Sequence, residues 1–159
     1  MDQSWWPDGQ YAAPSDAGLA YDFELGLAMG FNAVRGHQKH GSERWFYHAD
    51  RLGMLVLQDA PGIMVPYNGR FVQDDAKAFW MADTLAMVDE HFSHPSILQW
   101  NLFNEDSENV LFNTGTDHQG LKDVIATVRA ADGSGRLVDL NTGGQFNSLW
   151  LADVNDEHT

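Results

Sequence analysis

At 159 residues the chain can bury one respectable core, and its 43% apolar content without a long polar tract makes it globular. Its formal charge of −14 argues against nucleic acid or an anionic membrane as a partner. It has no cysteine, which excludes a disulfide framework, a thiolate metal site and a cysteine nucleophile.

Residues 1–14 are aromatic and punctuated by proline, and read as a loop without the charged and apolar regions of a signal peptide. Ser15 is placed to cap a helix running to about Met29, with Leu19, Phe23 and Leu27 on one face, and Gly30 ends it. Phe31 to Arg35 is a short strand. Ser42 can cap a second helix carrying Trp45, Phe46, Ala49 and Leu52, which Gly53 stops. Met54 to Leu57 is the next strand and ends in Gln58 and Asp59. A loop rich in Pro and Gly leads to a third helix, about Asp75 to Phe92, with Leu85, Val88 and Phe92 on its buried face. Ile97 to Phe103 reads as a buried strand and ends abruptly in Asn104 and Glu105. A polar loop separates it from a fourth helix near His118 to Ala131, with Leu121, Val124, Ile125 and Val128 inward. Asp132-Gly133 breaks that helix, Leu137 to Leu140 is a further strand, and Trp150 to Thr159 begins one more.

Strict alternation of helix and strand predicts an α/β fold with a parallel sheet. No stretch approaches the roughly 20 apolar residues of a membrane span, and the compartment stays open.

In parallel α/β folds the chemistry gathers at the carboxyl ends of the strands. Arg35 and His37 follow the first strand, Asp59 ends the second, and Asn104 and Glu105 end the third. Asn141 follows the fourth and His158 lies near the last segment. One polar strand end is ordinary, whereas five that combine acid, base and amide point to a site. Each has a plainer reading. Glu105 can be a solvated loop acid beside Asp106 and Glu108, and Arg35 can simply pair with Asp59. His37 and His40 can be surface histidines. Trp100 fits core or pocket wall better than a sugar platform, and His94-Pro95 reads as a turn that sets the approach to the strand. A metal held by His37, His40, Asp59 and His158 lacks any compact ligand spacing, and neither a metal nor another cofactor is expected. No dinucleotide, P-loop or serine-hydrolase motif occurs.

Five segments in order, DQSWWPDG, GFNAVRGHQK, ERWFYHADRLGMLVLQD, HPSILQWNLFNE and DVNDEHT, resemble the catalytic barrel of glycoside hydrolase family 2, the β-galactosidase, β-glucuronidase and β-mannosidase group. HPSILQWNLFNE is the most specific of them. The resemblance implies a partial TIM (β/α)8 barrel, roughly strands two to six with their helices. It implies a retaining two-carboxylate hydrolysis of β-glycosides with Glu105 as general acid/base. Asn104 would hold the sugar 2-hydroxyl, and Arg35, His37, Asp59 and His158 would line the pocket.

A full barrel takes about 250 residues, so residues 1–159 are expected to form one incomplete barrel domain, without strands seven and eight or the preceding β-sandwich domains. The nucleophile, by resemblance a Glu on strand seven, would then lie outside the chain, and the isolated chain would be inactive. Open strand edges would favour self-association. Partly buried and beside another carboxylate, Glu105 would have the raised pKa an acid catalyst needs. The expected partner is a β-glycoside, with neither nucleic acid nor membrane. A non-catalytic carbohydrate-binding module on the same partial barrel is the alternative.

Overall fold

The structure, a computed structural model, describes residues 6–7, 9–10, 12–63, 74–105, 111–112, 118–143 and 151–154. Four helices alternate with four strands among them: α1 (Asp16–Ala28), β1 (Ala33–Gly36), α2 (Glu43–Leu52), β2 (Leu55–Asp59), α3 (Asp74–His91), β3 (Ile97–Asn104), α4 (His118–Asp132) and β4 (Leu137–Thr142). The strands form one parallel sheet in chain order, β1-β2-β3-β4. The final described segment continues it: Val154 bridges in parallel to Asp139, and Asp153 N–H donates to Val138 O at 3.0 Å. The sequence expects a further strand in Trp150 to Thr159; within it the described residues show this isolated bridge, and residues 150 and 155–159 lie outside them.

Local signals account for the helix boundaries. Ser15 caps α1, its hydroxyl accepting from Gly18 N–H at 3.0 Å, and Ser42 does the same for α2 with Trp45 N–H at 3.4 Å. Gly53, at φ 76°, closes α2 in the left-handed conformation that glycine reaches without a Cβ penalty. At the end of α1, Gly30 N–H donates to Leu27 O and Phe31 N–H to Gly26 O, both at 3.0 Å. This paired closure is a Schellman motif, and it takes up Phe31. The first strand therefore starts at Ala33 rather than at Phe31, which is left exposed.

The sheet has two unlike faces. Val34, Val56, Trp100, Leu102, Val138 and Leu140 share one face, by register and alternation, and join the helices in the hydrophobic core. Phe46 and Ala49 of α2, Met87 and Val88 of α3, and Leu121, Val124, Ile125 and Val128 of α4 supply the other side of that core. Asp59, Gln99, Asn101, Asp139 and Asn141 occupy the opposite face, all buried. The third strand is thus apolar toward the helices and mixed on the reverse, where Ile97 and Phe103 alternate onto the face of Gln99 and Asn101. Leu98 at its start is 41% exposed, an exception to the buried reading of that strand.

The expected buried faces of α1, α2 and α4 hold. That of α3 needs correction. Trp80, Thr84, Met87, Val88 and His91 are buried, Leu85 is only partly so, and Phe92 is 52% exposed. The helix ends at His91, so the 3.6-residue period does not extend to Phe92. Its carbonyl instead receives Arg136 Nη2 at 2.8 Å.

Candidate active site

The polar residues meet at the carboxyl end of the sheet. Arg35 leaves β1 toward Asp59 at the end of β2, donating from Nε to Oδ1 at 2.9 Å and from Nη2 to Oδ2 at 2.8 Å. This bidentate pair is almost wholly buried, with side-chain exposures of 12% and 4%. Asp59 also receives Gln38 N–H at 2.9 Å and Asn101 Nδ2 at 2.7 Å. Gln99 donates to Asn101 Oδ1 at 2.6 Å, which fixes that amide in turn. With both oxygens occupied twice, Asp59 has the compensation that a buried carboxylate requires.

Arg35 reaches across the sheet as well. Its Nη2 donates to Asn104 Oδ1 at 2.6 Å and to Thr142 Oγ1. Thr142 Oγ1 in turn donates to Asn104 Oδ1 at 3.0 Å, and His37 Nε2 lies 3.2 Å from the same oxygen. Three donors around one oxygen settle which way the Asn104 amide is turned. Oδ1 faces arginine and threonine.

Glu105 follows at once and shares an unusual backbone with Gln38, whose φ is 53°. Its own φ is 49°, in the left-handed region that a non-glycine residue enters at a cost of roughly 1–2 kcal/mol. Glu105 N–H donates to Thr142 O at 2.9 Å, so the strained residue is tied to β4. The side chain is exposed, which departs from the expected partial burial. Beside it Gln38, Asp59, Pro61, Gly62, Ile63, Phe103 and Asn104 line a small cleft. A Cβ at Gly62 would lie 2.9 Å from Gln38 Cβ, so a larger residue there would force Gln38 to shift.

The structure therefore joins Arg35, His37, Asp59 and Asn104 in one hydrogen-bonded group, with Glu105 adjoining it. His158 lies outside the described residues, as do Asp106 and Glu108. His40 turns away to His91, and Trp100 is fully buried with Nε1 donating to Asp132 Oδ1 at 3.0 Å. Sequence reasoning missed Thr142, Asn101 and Gln38. Asn101 was detectable as a polar residue at alternate spacing from Gln99 within an otherwise apolar strand.

The model of the family described as "Glycosyl hydrolases family 2, TIM barrel domain" matches residues 13–155. The chain belongs to glycoside hydrolase family 2. The β-galactosidase of Lactococcus lactis subsp. lactis (strain IL1403) is 31% identical over 121 residues, covering 74% of this chain and 11% of the relative. That of Oenococcus oeni (strain ATCC BAA-331 / PSU-1) is 37% identical over 79 residues, or 47% of this chain and 8% of the relative. The chain thus spans about a tenth of the length of these curated relatives. Among solved structures, a family 2 member from Bacteroides cellulosilyticus is 27% identical with a TM-score of 0.65, covering 91% of this chain and 19% of that one. The β-galacturonidase from Eisenbergiella tayi, solved bound to galacturonate, has a TM-score of 0.70 at 21% identity, covering 88% and 24%. These matches place the four-stranded parallel sheet within the family's TIM barrel, as part of it.

Proposed function

We propose that this chain carries the acid/base half of a retaining β-glycosidase site. In this reading Glu105 protonates the leaving oxygen and then, as a carboxylate, activates the water that releases the sugar. Asn104 holds the sugar 2-hydroxyl. Arg35 and Asp59 position Asn104, and His37 and His158 border the sugar. The nucleophile is a second carboxylate that a complete barrel brings to about 5–5.5 Å from the acid/base, and none of the described residues is given that role.

The observation that supports this reading best is the strained backbone of Glu105 next to an amide held by three donors. Strain of this kind persists where surrounding contacts over-determine it, and such positions cluster at functional sites. A merely solvated loop acid needs neither feature.

The test uses Glu105→Gln in a polypeptide that holds this chain within a complete barrel, assayed on β-galactosides, β-glucuronides and β-mannosides. General acid loss should lower kcat/KM about 10²–10⁴-fold for sugar leaving groups. Activated aryl glycosides, which leave without protonation, should keep much of their first-step rate. Equal rates for the variant and its parent on all substrates would end the assignment. Residues 1–159 alone should show no turnover.

A further inference from the structure

A second cluster of chemically capable side chains lies away from the carboxyl end of the sheet, where α2 and α3 meet the turn into β3. It comprises Glu43 and Asp50 of α2, His91 at the end of α3, and His94 of the turn. His91 is completely buried, His94 nearly so, and Glu43 opens to solvent. The Phe46 ring packs on both imidazoles, with centroids 4.3 Å from His91 and 5.2 Å from His94. The rings are therefore held before any ligand arrives.

The hydrogen bonding leaves an imbalance. His94 Nδ1 donates to Asp50 Oδ2 at 2.6 Å, and Asp50 Oδ1 accepts Ser96 N–H at 2.9 Å. The other ring nitrogen, Nε2, lies 3.3 Å from Glu43 Oε2, so His94 sits between two carboxylates and a bound ion would take the place of a proton on Nε2. His91 Nδ1 is buried and stands 2.7 Å from Glu43 Oε1, an ion-pair contact without regular hydrogen-bond geometry. The other nitrogen of His91 contacts His40 Nε2. One nitrogen from each of two imidazoles thus converges on one carboxylate.

We propose that Glu43, His91 and His94 bind a divalent transition-metal ion of the zinc class, through Glu43 oxygen, His91 Nδ1 and His94 Nε2, with Asp50 orienting His94. One ligand atom from each of the three lies within 4.8 Å of the others. Around a tetrahedral zinc ion neighbouring ligand atoms sit roughly 3.3 Å apart; Glu43 already stands 2.7 Å and 3.3 Å from the two ring nitrogens, so the remaining adjustment falls between the two imidazoles. Asp50–His94 is the carboxylate–histidine arrangement that fixes the tautomer of a metal-bound imidazole. Two carboxylates and two neutral imidazoles carry a formal charge of −2, which a divalent ion cancels. Two nitrogen ligands favour zinc, cobalt or nickel over magnesium or calcium. Set between α2, α3 and the start of β3, the ion would act as a structural clamp.

The experiment is calorimetric titration of the metal-free protein with zinc chloride at pH 7.5, with cobalt(II) absorption and Tm as parallel readouts. One equivalent should bind, raise Tm, and give a tetrahedral cobalt spectrum. Glu43→Gln changes an exposed side chain and should weaken zinc binding at least about 10-fold, and Asp50→Asn about 10–100-fold. His40→Ala should bind as the parent does. Should His91→Ala or His94→Ala fail to fold, Glu43→Gln still decides the matter. A protein that binds no zinc saturably would have a protonated His94 bridging Asp50 and Glu43, and the proposal would fall. It would equally fall if His40→Ala abolished binding and Glu43→Gln left it intact.

Discussion

Arg35 is the residue on which the carboxyl-end arrangement turns. It is the one cation in that group whose charge holds at every working pH, and it touches groups on β2, β3 and β4. Removing one partner of a buried pair leaves the other uncompensated, at a cost of about 3–5 kcal/mol. Arg35→Ala should therefore lower stability by that amount in urea unfolding at pH 7. Arg35→Met together with Asp59→Leu should recover much of the loss, because both charges then leave the interior. A double variant no more stable than the single one would show that the donors from Gln38 and Asn101 matter more than the ion pair. The same residue shows how far sequence reading reaches. Its pairing with Asp59 was one of the plain alternatives and is what the structure contains. Its contact with Thr142 was not, because no local pattern announces a hydrogen bond between residues 107 positions apart.

At the scale of elements, the corner between α4 and β4 has its own electrostatic lock. Burial alone would raise the pKa of Asp132. Ser134, Arg136 and Trp100 donate to it, however, and together hold it well below the ordinary 3.8. Arg136 meanwhile reaches Ile97 O at 2.7 Å and His94 O at 2.8 Å, so the lock spans α4, β3 and the turn before it. A carboxylate whose folded pKa is depressed contributes stability above its unfolded value, and that contribution fades as pH falls from about 3.8 toward the folded pKa. Asp132→Asn should be less stable at pH 7, and its unfolding free energy should fall less steeply below pH 4. Parallel acid limbs for the two proteins would discount the lock. Gly53→Ala probes a simpler feature. No atom lies within 4 Å of the added methyl, so its cost is that of the left-handed backbone, about 1–2 kcal/mol by thermal unfolding. Both caps, this stop and three of four helix faces were legible in the sequence because they depend on near neighbours. The start of β1 was not, because the terminator of α1 consumes Phe31.

For the molecule as a whole, alternation was enough to give the parallel sheet, the barrel implied by the resemblance gave its order, and the polar strand ends were enough to find the candidate site. What stayed hidden was the division of the sheet into an apolar and a polar face, together with the His–carboxylate cluster. Glu43, His91 and His94 come from two helices and a turn, and folding alone brings them together, so no compact motif advertises them. Among the described residues β1 has a strand neighbour on one side only. Charge repulsion at −14 opposes pairing through that edge at low salt. Screening should relieve it, so sedimentation velocity should show self-association increasing between about 0.01 and 1 M salt. A monomer at all salt concentrations would indicate that the edge is protected.

The tie between Glu105 and β4 also bears on the order in which the molecule is built. Arg35 and Asp59 can meet once β2 has formed, and Asn104 can join them with β3. The Thr142 hydroxyl and carbonyl come 38 and 37 residues after Asn104 and Glu105. During synthesis from the N-terminus, the backbone of Glu105 lacks this partner until β4 has emerged and docked. The shape of this turn is therefore a late product of folding, and a nascent chain halted before Thr142 would hold its acid in the wrong place.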